Sequence, residues 1–154
     1  MKHCLLAAIF LIGFMDAAQG SEQKCLAEAI YFEARDQGPV GMLAVGIVVQ
    51  NRVDHPKYPD TVCKVVKQGR YWEGNPVRDK CQFSYWCDGR PERPAEKEAW
   101  GEAKSIAALL LFMRVDIIGL EQATHYHATW VTPRWSKFLE PCTRIGQHIF
   151  YAEH

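Results

Sequence analysis

The stretch that decides the fold is KCLAEAIYFEAR at residues 24–35. Leu26, Ala29 and Ile30 recur at helical spacing and form one apolar stripe, so the stretch predicts an amphipathic helix. Glu33 comes four residues after Ala29 and three after Ile30. Residues at these spacings share a helix face, and Glu33 is therefore expected to project from the apolar side.

The second glutamate of this stretch has a different setting. Glu28 shares a face with Lys24 and Arg35, which predicts a solvated, charge-paired side chain. A carboxyl held against apolar surface has a raised pKa, because desolvation disfavours its charged form, and it can carry a proton at neutral pH. Glu33 is thus a candidate general acid. The simpler alternative is a helix-end glutamate paired with Arg35 or with another basic residue.

The N-terminus resembles an export signal. A basic start, an apolar run over residues 4–15 and a small-residue site ending at Gly20 predict a signal peptide over residues 1–20, cleaved before Ser21. The apolar run is too short to span a bilayer comfortably, so no stable membrane span is expected after cleavage. An uncleaved membrane tether is the alternative. The remaining chain, residues 21–154, would be one exported domain, periplasmic or extracellular.

Composition narrows the possible partners. The chain is 48% apolar, and its 18 basic and 18 acidic residues give a formal net charge of zero. This apolar content suits a single packed domain. Long runs of Lys or Arg are absent from the sequence, so a nucleic acid or an anionic membrane surface is not indicated as a partner.

The cysteines predict disulfides, because an exported protein meets an oxidising compartment. Cys81 and Cys87 bracket a short aromatic loop and form the first expected pair. Cys25 with Cys63 is the second pair. Cys4 would be removed with the signal peptide, so Cys142 is left unpaired. Sequence alone does not determine connectivity. A zinc cluster is the alternative, but the chain has no Cys-x-x-Cys motif.

The rest of the chain predicts one mostly helical α+β domain. The apolar segment at 40–53 is long for a strand and is interpreted as a buried helix, whose glycines allow close helix contact. The other expected elements are a short helix ending near residue 67, an aromatic loop at 70–93, a long helix opened by Pro94, and two short C-terminal strands forming a hairpin, at 125–130 and 144–151.

Three blocks of sequence resemble a known family, the cell wall hydrolases that include spore-cortex-lytic enzymes. The first block is AIYFEAR at 29–35 with GMLAVGIVVQNRV at 41–53 and YPDTV at 58–62; the second is CQFS at 81–84 with CDG at 87–89; the third is ATHYHA at 123–128 with Trp135 and IGQHIF at 145–150. The blocks occur in the family's order and extend over residues 25–151.

The resemblance implies a lysozyme-like fold that cleaves peptidoglycan between N-acetylmuramic acid and N-acetylglucosamine. It also implies a lytic transglycosylase, which forms a 1,6-anhydro-muramic end instead of adding water, with Glu33 as catalytic acid. No cofactor or metal is expected. The chain departs from the family's usual Gly-Glu after Arg35, having Asp36 and Gln37 instead.

Seven side chains are candidates for lining the sugar subsites: Gln82, Phe83, Ser84, His125, Tyr126, His127 and Trp130. Amides, hydroxyls and imidazoles can hydrogen-bond N-acetyl and hydroxyl groups, while Phe83 and Trp130 offer flat faces to sugar rings. Core packing is the alternative for these two aromatic residues. In a strand, His125 and His127 would point to one face and Tyr126 to the other.

Other functions fit parts of the pattern. Two histidines on one face with a carboxylate could hold zinc, as in a metal-dependent N-acetylmuramoyl-L-alanine amidase, with His55 or His148 as a third ligand. A cysteine nucleophile with a histidine base is a further alternative, which a disulfide between Cys81 and Cys87 would weaken. A module that only binds peptidoglycan would not need a glutamate on an apolar face.

Overall fold

The computed structural model describes the backbone of residues 3–153 and the side chains of residues 18–153. Its helices are α1 (His3–Ala34), α2 (Gly38–Asp54), α3 (Val62–Val66) and α4 (Lys97–Phe112). Its strands are β1 (Gly69–Trp72), β2 (Asn75–Cys81), β3 (Ala123–Ala128), β4 (Glu140–Ile145) and β5 (His148–Ala152). Two 3-10 turns, Ser84–Cys87 and Arg134–Lys137, complete the fold.

The core lies where α1, α2 and α4 pack together. Leu26 and Ile30 of α1, Val45 and Val48 of α2, and Leu110 of α4 are all buried. Burying an aliphatic side chain of this size contributes roughly 1.5–3 kcal/mol. The expected helices at 24–35 and 40–53 are therefore confirmed, and the apolar stripe of α1 faces the core as its spacing predicts.

Gly46 lets α2 approach its neighbours closely. A Cβ at this position would collide with the side chain of Leu110 and lie 3.1 Å from Cδ1 of Ile30. The expectation that a glycine in this segment allows close helix contact is confirmed.

The N-terminal helix is longer than the sequence predicts. Ser21 lies inside α1, not at its start, and its hydroxyl donates a hydrogen bond to Ala18 O at 2.7 Å. The backbone of α1 continues into the expected signal peptide, whose residues 1–2 and the side chains of 1–17 lie outside the described part, so cleavage before Ser21 stays a prediction. In the described part, no helix combines the length and apolarity needed to cross a membrane.

Two expectations about the small sheets need correction. The segment at 70–93 is not loop throughout, because β1 and β2 form an antiparallel hairpin within it. The expected strand at 144–151 is interrupted by a tight turn at Gly146, whose φ is 57°. β4 and β5 flank this turn, and the sheet has three antiparallel strands in the order β3-β5-β4.

Two disulfides form as expected. Cys25 bonds Cys63 and thereby joins α1 to α3, and Cys81 bonds Cys87 across the loop that follows β2. Within the described residues, Cys142 is the one free cysteine and is exposed.

Candidate active site

Glu33 lies in the last turn of α1 and is half-buried. Its Oε2 accepts a hydrogen bond from the Tyr126 hydroxyl at 3.1 Å. Burial raises the pKa of Glu33, while the bond from Tyr126 and the charge of Arg52 act in the opposite direction. Desolvation outweighs the two stabilising contacts, so the carboxyl is suited to hold a proton that it can later release.

Tyr126 reaches Glu33 because β3 packs against α2. Burial raises the pKa of its phenol well above 10.0, and the nearby Glu33 carboxyl adds to this effect. The hydroxyl therefore stays protonated and donates to Glu33 at physiological pH. The ring is held against His148 and Phe150, with centroids 5.1 and 5.7 Å away.

The carboxyl borders an open cleft of about 420 Å³. Ser84 and Tyr85 line the same cleft. The rings of Tyr85 and Phe32 stack with centroids 4.7 Å apart, which places the loop after β2 against the end of α1. A cleft of this volume can admit a sugar ring beside Glu33.

Arg35 does not neutralise Glu33. Its Nε lies 2.9 Å from Oε1 of Glu96, which also lines the cleft. The alternative of a helix-end pair between Glu33 and Arg35 is therefore wrong.

The sequence predicts that Glu28 is charge-paired and solvated; the structure confirms the pairing with Lys24 but not the solvation. Lys24 does pair with it at 3.8 Å, but Arg35 does not, and Glu28 is only 8% exposed. Burial raises the pKa of Glu28, so it is not the solvated residue that the helix pattern predicts. Helix α3 packs against α1 and is bonded to it through Cys25 and Cys63. A pattern on one helix does not reveal such tertiary packing.

The loop between Cys81 and Cys87 contributes less directly than expected. Phe83 is 1% exposed and packs under the Arg52 guanidinium, 5.2 Å from its Cζ, so it has no free face for a sugar. We correct the expectation that it stacks on substrate. Gln82 is exposed but does not line the cleft beside Glu33, whereas Ser84 does.

The strand geometry of β3 is as expected. His125 and His127 lie on one face, where both contact Trp135, with centroids 5.1 and 5.6 Å away. Tyr126 points to the other face, toward Glu33. The two histidines therefore line the side of the sheet away from the carboxyl. Trp130 follows the end of β3 and is 69% exposed, so its ring is open to a ligand.

The histidine face does not have the arrangement of a zinc site. Both ring nitrogens of His127 are engaged, Nδ1 with Ala128 O and Nε2 with Tyr151 Oη, each at 2.9 Å. Nδ1 of His125 lies 3.0 Å from the Thr124 hydroxyl. Among the residues described, no three His, Cys, Asp or Glu side chains cluster closely enough to hold a metal ion.

The departure at residues 36 and 37 has a structural consequence. Gln37 Oε1 accepts a hydrogen bond from Gln147 N at 3.0 Å, and its Nε2 donates to Gln147 Oε1 at 3.3 Å. The side chain thus ties the connection between α1 and α2 to the turn between β4 and β5. A carboxylate could accept the first bond but not donate the second.

Two residues near Glu33 were not predicted from the sequence: Tyr85 lines the cleft, and the charge of Arg52 acts on Glu33. Arg52 follows Val48 and Val49 of the buried α2 face by four and three residues, the same spacing that identifies Glu33. That signal was available in the sequence. Tyr85 lies in the aperiodic aromatic loop, and its position against Phe32 depends on tertiary packing.

Comparisons with known proteins agree with this architecture. The model of the Cell Wall Hydrolase family matches residues 36–151. The catalytic domain of the germination-specific lytic transglycosylase SleB from Bacillus anthracis is 25% identical, with a TM-score of 0.65 over 84% of this chain and 93% of that one. The catalytic domain of the Bacillus cereus SleB protein is 24% identical, with a TM-score of 0.58 over 84% and 88%. A search of curated proteins finds no match.

The family match extends over well over half of the chain and includes β3 with Tyr126 and α2 with Arg52. It begins three residues after Glu33, so the case for that carboxyl rests on the geometry described above. On the extent of the match, the chain belongs to the cell wall hydrolase family.

Proposed function

We propose that this protein cleaves the glycan strand of peptidoglycan between N-acetylmuramic acid and N-acetylglucosamine, as a lytic transglycosylase with Glu33 as its acid–base group. The observation that carries the proposal is a half-buried carboxyl beside an open cleft, bonded by Tyr126 and not paired with Arg35. The likeness to a lytic transglycosylase domain supports the same reaction class.

One carboxyl suffices for this reaction. Protonated Glu33 gives its proton to the glycosidic oxygen, the bond from that oxygen to the muramic anomeric carbon breaks, and the N-acetylglucosamine side leaves. The muramic 6-hydroxyl oxygen then bonds the anomeric carbon, and the Glu33 carboxylate takes the hydroxyl proton. The product is a 1,6-anhydro end, no water is consumed, and Glu33 is protonated again. A hydrolase would instead need a second carboxylate as nucleophile or base.

The test is mass spectrometry of fragments released from purified peptidoglycan, with and without a chelator. Wild type should release anhydro-muropeptides under both conditions, and Glu33→Gln should release them about 10²- to 10⁴-fold more slowly, because an amide cannot donate the proton. Glu28→Gln is the matched control, since it makes the same change on the same helix at a buried glutamate that does not line the cleft, and it should keep the activity.

Other products would overturn the proposal in distinct ways. Muramic ends that carry added water would indicate a muramidase. Free stem peptides that persist in Glu33→Gln but vanish with chelator would establish a zinc amidase. Sedimentation with peptidoglycan but no release from wild type would indicate a binding module.

Export belongs to the same proposal, because the substrate lies outside the cytoplasm. The apolar N-terminal run and the small residues before Ser21 support a cleaved signal. Protein recovered from the periplasm or the medium should begin at Ser21 when its N-terminus is sequenced. A chain retained in the membrane with Met1 intact would contradict cleavage.

A further inference from the structure

Arg52 is a buried cation that the proposed reaction does not yet use. The residue is 5% exposed, and its Nε donates a hydrogen bond to Thr124 O at 2.7 Å. Its Cζ lies 5.4 Å from the Tyr58 ring centroid and 5.2 Å from that of Phe83. Burying a guanidinium is costly unless its charge is used, so its place in the fold calls for a partner.

One end of this guanidinium lacks a hydrogen-bond partner. Within the described part of the chain, Arg52 Nη1 is one of four buried side-chain nitrogen and oxygen atoms without one. Tyr85 Oη and His148 Nδ1 are two of the others. Tyr85 lines the cleft with Glu33, and His148 packs against Tyr126. Unsatisfied buried groups are rare. The fourth atom is Gln68 Oε1. The Tyr85 and His148 atoms belong to side chains that share the cleft with Glu33 or pack against Tyr126, its hydrogen-bond donor.

Arg52 and Glu33 approach the same strand from two helices. Arg52 on α2 bonds the backbone of Thr124, and Glu33 on α1 bonds the side chain of Tyr126, two residues further along β3. The two are close enough for the charge of Arg52 to oppose the effect of burial on the pKa of Glu33. The attraction is mutual, since Glu33 also favours the charged form of Arg52.

The other charged and titratable groups near Glu33 come from each element around it. Tyr126 faces it from β3 and Tyr85 from the 3-10 turn, and both phenols have a pKa raised by burial. The remaining charged side chains that line the cleft are Arg35, Asp88, Arg90, Glu92, Arg93 and Glu96. Arg52 and Tyr126 are the groups that oppose the rise in the pKa of Glu33.

We propose that Arg52 is a positioning residue for Glu33. Once Glu33 has given its proton to the glycosidic oxygen, the buried guanidinium of Arg52 stabilises the carboxylate that is left. The proposal rests on the proposed function, in which that carboxylate is the intermediate state of the catalytic group. Burial alone would favour protonated Glu33 so strongly that proton release becomes difficult. A fixed cation opposes part of this effect of burial, and Arg52 does so without lining the cleft.

The test compares Arg52→Gln with Arg52→Lys. Glutamine keeps an N–H for Thr124 O but removes the charge, and lysine keeps the charge. In Arg52→Gln the pKa of Glu33 should rise, so activity should be lost at higher pH than in wild type, and kcat should fall about tenfold with KM changed less than about twofold. In Arg52→Lys the alkaline limb of the pH–rate profile should stay at the same pH as in wild type.

A carbon-13 NMR titration of the Glu33 carboxyl, assigned by its absence in Glu33→Gln, measures the same effect without substrate. The titration tests the effect of Arg52 on Glu33 separately from the proposed reaction, because the pKa of Glu33 can be measured even if Glu33 proves not to be catalytic. If Arg52→Gln does not fold, Tyr58→Leu replaces it. Removing that half-buried ring hydrates the guanidinium and should shift the Glu33 titration upward, by less.

Two results would overturn the proposal: a folded Arg52→Gln whose Glu33 titrates as in wild type, or an Arg52→Lys that shifts as Arg52→Gln does. If Tyr58→Leu is used instead, an unchanged Glu33 titration would also overturn the proposal. A loss of thermal stability with an unmoved titration would assign Arg52 a structural role only.

Discussion

The hydrogen bond between Tyr126 and Glu33 acts on both groups, in opposite directions. It stabilises the Glu33 carboxylate and so lowers the pKa of that group, while it favours the protonated phenol and raises the pKa of Tyr126. A donor that stays protonated at all working pH values can orient the carboxyl without competing for its proton.

Replacing Tyr126 with Phe should expose this contribution. The ring keeps its packing against His148 and Phe150, but the carboxyl loses its donor, so the pKa of Glu33 rises. Because the acid must be protonated, the alkaline limb of the pH–rate profile should move to higher pH, while kcat falls about 10- to 100-fold.

The matched control for this variant is Tyr151→Phe. Tyr151 lies in the same sheet and its hydroxyl contacts His127 at 2.9 Å, on the face away from Glu33. Loss of the Tyr151 hydroxyl should leave the alkaline limb of the pH–rate profile unchanged. A profile of Tyr126→Phe that coincides with wild type would show that the hydrogen bond does not tune Glu33.

At the same scale, sequence predicts a site residue when its own helix or strand fixes its direction. Glu33 on the apolar stripe and Tyr126 opposite its two neighbouring histidines were predictable in this way. Phe83 was not, because an irregular loop has no period that separates a core aromatic from a ligand-binding one. Arg52 had the right spacing but an unlikely residue type for a buried face.

At the scale of elements, α1 was predictable from its single apolar stripe and α2 from its long, nearly continuous apolar segment. The β1-β2 hairpin was not, since every residue of β1 is exposed and no alternation of apolar and polar residues marks it. The turn at Gly146 was missed because β5 and the end of β4 together resemble one strand of eight residues.

Close packing of α2 makes Gly46 sensitive to added volume. Gly46→Val should lower the free energy of unfolding by about 1–3 kcal/mol, because its branched side chain must displace Leu110 and Ile30. Gly101→Val in α4 is the control, since a Cβ there meets nothing within 4 Å. Urea unfolding of both variants tests this, and equal losses would show that packing against Leu110 and Ile30 does not decide the cost.

Over the whole molecule, the site is made by bringing distant segments together. Glu33 and Tyr126 are 93 positions apart in sequence, and the packing of β3 on α2 and of α2 on α1 joins them. Sequence pattern orients each residue within its own element but does not say which elements meet. The disulfides are the exception, because their expected pairing carried long-range information that the structure confirms.

These two disulfides should separate stability from activity. The Cys25–Cys63 bond closes a separation of 38 residues and the Cys81–Cys87 bond one of 6. Chain entropy then predicts that removing the first costs about 4 kcal/mol and removing the second about 2 kcal/mol. The second bond, however, closes the loop that sets Tyr85 and Ser84 on the cleft wall.

Paired alanine variants of each disulfide test this separation by urea unfolding and by release of muropeptides. The variant lacking Cys25 and Cys63 should unfold at lower urea but turn over normally while folded, because that bond joins α1 to α3 away from the cleft. The variant lacking Cys81 and Cys87 should be the more stable of the two and the less active. If activity instead follows stability in both, the loop between Cys81 and Cys87 keeps its position by packing alone, through Phe83 beneath Arg52 and Tyr85 on Phe32.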